Sequence, residues 1–231
     1  MCVSGTTSGI PRHIISARGV STDPGKIRVM TEWPVPSTIK QLRGFLGLTG
    51  YYRRFIKHYG LISKQLIELL KKNAFKWSEQ AQEAFDKLKA AMVSALILAL
   101  PDFSLPFTIK TDASGVGIGA VLAQQGHPIA YLSKALAPKH QALSAYEREF
   151  LVVVLAVEKW RPCLLGRHFV IKTYHFNLKY LIEQKITTPF QSKWLLKLIG
   201  FDYEVVYRKG KENWLLTAYL GSPAVTCSPC T

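Results

Sequence analysis

Apolar positions along the chain change their spacing near residue 103. Before it, Leu42, Phe45, Leu46, Thr49, Tyr52 and Ile56 recur at three- and four-residue steps, the period of an amphipathic helix. Ser37 is placed to cap that helix after the Trp33-Pro34-Val35-Pro36 break. A second helix is expected over about residues 61–72. A third is expected over about 78–93, where Ala84, Phe85, Leu88 and Met92 form one stripe behind Ser78. Past residue 103 the segments 105–111, 117–124 and 128–133 read as three short strands of a meander, separated by Gly115 and by Gln125-Gly126-His127. A helix over 145–160, a strand over 169–174, helices over about 177–184 and 189–199, a strand over 201–208 and a helical turn near Leu215 follow. The order βββαβααβα predicts an α/β fold, a mixed sheet with helices against it. The first 30 residues are rich in Gly, Ser and Thr, carry the β-like His13-Ile14-Ile15-Ser16, and read as the edge of something larger.

A chain of 231 residues, 48% hydrophobic and 19% charged, has enough apolar surface for one core plus a smaller helical satellite. Lys and Arg outnumber Asp and Glu by 30 to 15, a formal +15 that favours an extended anionic partner through counterion release. The plainer alternative is a basic protein with solvated lysines. The start of the chain lacks the pattern of a signal peptide, and no apolar stretch, residues 95–100 included, is long enough to cross a bilayer. The expectation is an intracellular chain with no membrane partner. Cys2 and Cys163 stand alone, and Cys227 and Cys230 form one CxxC with no second pair beside it, so no zinc site is expected.

Arg43, Arg53, Arg54, Lys57 and His58 share the first long helix with Tyr51, Tyr52 and Phe55. Cations interleaved with flat rings suit a phosphate backbone and exposed bases, although a solvated basic face over core aromatics accounts for the same residues. The string LRGFLGLTGYYRRFIKHY over residues 42–59, with GVSTDPGKI and WPVPSTIKQ before it, resembles the thumb of gypsy-type long-terminal-repeat retrotransposon reverse transcriptases. The register continues over roughly residues 2–220. The resemblance implies a remnant of the polymerase palm and primer-grip hairpin over 1–30, a small helical thumb and connection segment over 31–100, an RNase H-like domain over 101–220 and a disordered tail over 221–231. It also implies a nucleic-acid partner, an RNA/DNA hybrid or a template-primer, bound through Arg43, Arg53, Arg54 and Lys57. No two aspartates are adjacent anywhere in the chain, so the metal-binding pair of a polymerase is absent and DNA synthesis by this chain alone is not expected.

Asp112 falls where the first strand gives way to a Gly-rich turn, a position for a turn former or a ligand of a hard cation. Ser144 and Glu147 have the spacing of a capping box, which leaves Glu149 beside the apolar run of Phe150, Leu151, Val153, Val154 and Val157. A carboxylate there is either an exposed residue on the helix flank or a group that needs a cation. TDASGVGIGAVLAQ, PIAYLSKAL, SAYEREFLVVVLAVEKW, LLGRHFVIKT and YEVVYRKGKEN all resemble segments of the gypsy-type RNase H domain. In that domain four carboxylates hold two Mg²⁺ ions that cut RNA in an RNA/DNA hybrid.

The resemblance makes Asp112 and Glu149 catalytic, metal-binding residues. The third carboxylate, expected in Thr-Asp-His, is replaced by Tyr174. The fourth, expected in Ala-Asp-Ala-Leu, is replaced by Thr217. Two carboxylates cancel only half the charge of two divalent ions, and a phenol and a hydroxyl are neutral at pH 7. Glu212 is too far along the chain from Thr217 to be a ready substitute. Three readings stand: a Mg²⁺-dependent hybrid nuclease, a nucleic-acid-binding remnant that does not cut, and a decaying element copy. The ancestral nuclease activity is expected to be impaired.

Overall fold

The computed structural model describes residues 13–16, 19–95, 97–174, 178 and 194–207. The chain opens with a hairpin of β1 (His13–Ser16) and β2 (Gly19–Thr22), paired antiparallel. Helix α1 (Pro24–Thr31) follows, absent from the sequence reading. Its signal is nonetheless local. Asp23 caps it by accepting from the Gly25 N–H at 2.8 Å, and Pro24 occupies the first turn, where a missing N–H costs nothing.

Helix α2 (Ile39–Tyr51) is capped by Thr38 rather than by Ser37, whose N–H and hydroxyl both donate to the Gln41 side chain. The helix stops at Tyr52 instead of running through Ile56, and a single 3₁₀ turn spans Arg53–Phe55. Gly44, Gly47 and Gly50 weaken it. The second expected helix is two short ones, α3 (Tyr59–Ile62) and α4 (Lys64–Glu68), broken at Ser63. Ser63 is buried and its hydroxyl donates to the Tyr59 carbonyl at 2.7 Å, competing with the helical ladder. Helix α5 (Glu79–Val93) matches its expectation, with Ser78 as cap and Ala84, Phe85, Leu88 and Met92 buried. Their partners are Met30, Leu42, Phe45, Tyr52, Phe55 and Leu66, which with them make one core.

The second core is built on a sheet. Strands β3 (Phe107–Ala113), β4 (Gly117–Gln124) and β5 (His127–Ala135) form the expected antiparallel meander. Its β4–β5 turn puts Gln125 at φ 48 and Gly126 at φ 85, the left-handed pair that a two-residue hairpin needs. After the short α6 (Pro138–Gln141) come α7 (Ala145–Lys159) and α8 (Arg161–Leu164). Strand β6 (His168–Thr173) lies parallel to β3, and β7 (Asp202–Tyr207) parallel to β6. The sheet order is β5-β4-β3-β6-β7 among the described residues. Helix α7 covers one face, burying Phe150, Val153 and Val157 against Phe107, Ile109, Leu122 and Ile171. Of the helices expected over 177–184 and 189–199, only Leu178 and residues 194–199 are described. The turn near Leu215 and the tail over 221–231 lie outside the described residues.

The two cores are joined. Tyr131 of β5 is 7% exposed and belongs to the helical core. The Ala99 N–H donates to the Pro128 carbonyl of β5 at 2.8 Å. The Gly60 N–H donates to Ser133 Oγ at 3.1 Å. A Cβ on Gly60 would stand 2.8 Å from the Ser133 carbonyl oxygen and 2.8 Å from Lys134 Cα. Because those are backbone atoms, Gly60→Ala is expected to cost about 1–3 kcal/mol, read as a lower urea midpoint; an unchanged midpoint would show that this contact is not rigid.

Candidate functional site

Glu149 reaches the centre of the site because its helix starts where it does. Ser144 and Glu147 form the capping box, each side chain answering the other's backbone, and Glu149 then falls on the face of α7 turned to β3. It is 6% exposed. Its Oε1 accepts from the Ala113 N–H at 3.0 Å, and its Oε2 from the Thr111 hydroxyl at 3.3 Å. Burial, and next the neighbouring Asp112 carboxylate, push Glu149 up to about 7, against the pull of those two donors. The exposed-flank reading of Glu149 is thereby excluded.

Strand alternation buries Thr111 towards α7 and turns Asp112 the other way. There Asp112 lines a cavity of about 40 Å³ with Lys57, His58, Lys110 and Ser114. Burial raises the Asp112 carboxyl; His58, the Ala113 N–H and Lys57 oppose that rise. The β3–β6 register pairs Lys110 with Lys172; carried two residues on, it brings Tyr174, just past the end of β6, level with Asp112. Thr217, His175, Glu212, Cys2, Cys227 and Cys230 lie outside the described residues, while Cys163 is half-buried.

A pair of Mg²⁺ ions does not fit these residues. Both Glu149 oxygens are hydrogen-bonded inside the protein, Asp112 is ringed by basic side chains, and Tyr174 adds no charge. Among the described residues no three His, Cys, Asp or Glu side chains come together as a metal site. Sequence reasoning missed Thr111 and Lys110, which strand alternation places on opposite faces around Asp112. It also missed the approach of Lys57, which no local signal announces.

The basic aromatic segment is divided. Arg43, Arg53 and Arg54 are exposed, whereas Lys57 and His58 are half-buried. Tyr52 and Phe55 are core. Tyr51 is 44% exposed, with the His13 ring stacked on it at 5.0 Å. Arg53, Arg54 and Tyr51 border a cleft of about 780 Å³ that continues past Lys134 of β5 to Lys159 at the end of α7. No helix among the described residues is long and apolar enough to cross a membrane.

Residues 77–171 match the RNase H-like domain found in reverse transcriptase. The chain is 40% identical over 203 residues to the retrovirus-related Pol polyprotein of the Drosophila melanogaster transposon 297, covering 87% of this chain and 19% of that protein. It is 35% identical over 219 residues to the corresponding polyprotein of Drosophila melanogaster transposon gypsy, covering 89% and 21%. The chain thus spans about a fifth of the length of these relatives. A foamy viral protease-reverse transcriptase solved in complex with an RNA/DNA hybrid shares the fold, with a TM-score of 0.75 at 20% identity over 95% of this chain and 31% of that one.

Proposed function

This chain is a relative of the gypsy-type retrotransposon Pol polyproteins and carries their RNase H-like domain, and on that footing we propose that it binds nucleic acid without cutting it. The observation that carries the reading is the cleft: four exposed cations, Arg53, Arg54, Lys134 and Lys159, face one groove that the half-exposed Tyr51 also borders. Such a groove suits a phosphate backbone with a base or sugar against the ring. Arg43 extends the basic surface along α2. In this reading residues 1–30 are the palm-edge hairpin, 31–100 the thumb and connection segment, 101–220 the RNase H-like domain and 221–231 a tail. The Mg²⁺-dependent hybrid cleavage that the family resemblance implies has gone with the carboxylates replaced by Tyr174 and Thr217, leaving Asp112 and Glu149 as its trace.

An RNA/DNA hybrid is the probe, since the related foamy viral enzyme was solved with one. Binding is expected to weaken steeply with salt. Arg53→Ala with Arg54→Ala is expected to reduce the slope of log K against log salt by about 2. In Mg²⁺ the parent is expected to cut the hybrid no faster than a Glu149→Gln control. A slope untouched by the arginine changes would refute the groove, and cleavage above the control would refute the loss of chemistry.

A further inference from the structure

The cleft that Arg53 and Arg54 border is more than a strip of positive surface. Its volume of about 780 Å³ falls within the ~300–1,000 Å³ of sites that enclose a small molecule. Its cations stand on three separate elements: Arg53 and Arg54 on the 3₁₀ turn after α2, Lys134 on β5 and Lys159 at the end of α7. Much of the remaining lining is apolar. Leu98 and Trp160, 2% and 6% exposed, contribute to it together with the half-buried Pro101, Ile129 and Leu132. A phosphate backbone has no use for such walls, whereas a flat, weakly hydrated group gains by leaving water against them. A duplex keeps its bases paired and stacked inside and offers a ridge of phosphates. An unpaired strand offers phosphates and bare base faces together.

Tyr51 is already set to receive such a face. His13 of β1 stacks on it with ring centres 5.0 Å apart and planes 12° from parallel, and the buried Tyr52 meets it edge-on at 5.0 Å. His13 is held in turn by the Phe55 ring at 5.2 Å and by its pairing with Thr22 in the hairpin. A ring fixed from two sides yet 44% exposed loses little freedom when a base stacks on it.

Resting on the nucleic-acid-binding reading above, we propose that this cleft is a single-strand site. It takes an unpaired stretch of nucleic acid in preference to a duplex, with phosphates among the four cations and an unstacked base against Tyr51 and the apolar wall. Charge alone would favour the duplex, whose phosphates are more densely spaced along its axis. Stacking of bases on an aromatic platform reverses that order.

The test is a binding competition with the full chain at one salt concentration, using three probes of about 12 nucleotides. They are a DNA strand of mixed sequence, the same strand paired with its RNA complement, and an abasic strand that has the sugar-phosphate chain and no bases. The DNA strand is expected to bind about tenfold more tightly than either of the others. Tyr51→Ala is expected to remove its advantage over the abasic strand, and Tyr51→Phe to keep it. The comparison of probes uses the parent chain, so it decides the matter even if Tyr51→Ala does not fold. A hybrid or an abasic strand bound as tightly as the DNA strand would overturn the single-strand site while the non-cutting reading stands. So would a folded Tyr51→Ala that keeps the full advantage. Binding of none of the three probes would overturn both.

Discussion

Glu149→Gln is expected to be more stable than the parent at pH 8 by about 3 kcal/mol and no more stable at pH 4. The reason is the direction of the shift. Burial and Asp112 raise the Glu149 carboxyl from its ordinary 4.5 to about 7, so between those values the folded chain holds a proton that the unfolded chain has released. A state that binds more protons loses ground as pH rises. Parent stability is therefore fully present below about 4.5 and falls as pH climbs to about 7. Glutamine keeps the oxygen that accepts from the Ala113 N–H and carries no charge at any pH. Urea unfolding of both proteins at intervals from pH 4 to 8 checks this; a stability difference that does not vary with pH would show that Glu149 reaches water.

Phe85→Ala is expected to lower stability by about 3–5 kcal/mol, a large share of the 5–15 kcal/mol typical of a folded domain. Phe85 is fully buried, with the Phe45 ring centre 4.6 Å away and that of Trp77 at 5.7 Å. The informative part is where the loss is felt. Tyr131 belongs to the sheet by its backbone and to the helical core by its ring, and the Gly60–Ser133 hydrogen bond joins the same elements. Hydrogen-exchange protection of β3 amides is expected to fall in step with that of α5 amides. Full protection of β3 in a chain whose helical core has opened would show two independently unfolding units.

Elements whose residues alternate against a single partner face were legible from the chain alone. Strand β4 has the bounds expected of it, and α7 differs by one residue at its end, because Ser144 and Glu147 announce its start and its apolar run is continuous. The second expected helix broke because buried Ser63 serves its own backbone, a choice set by burial rather than by spacing. In the candidate site, the apolar neighbours of Glu149 correctly suggested an expensive carboxylate. They did not reveal that a threonine hydroxyl and a backbone N–H donate to it. The approach of Lys57 to Asp112 was invisible for a simpler reason: it depends on Gly60 meeting Ser133 across 73 residues of sequence.

Tyr131 also sets a point during synthesis before which the chain cannot be safe. A nascent chain that has just passed residue 100 has every helix of the first core, yet the ring that closes that core has not been made. Its apolar surface near Leu98 and Tyr59 must wait for β5 to be translated and paired with β4. In that interval chaperone binding is favoured over release, and a message truncated there would yield an aggregation-prone product even though its local helix signals are intact.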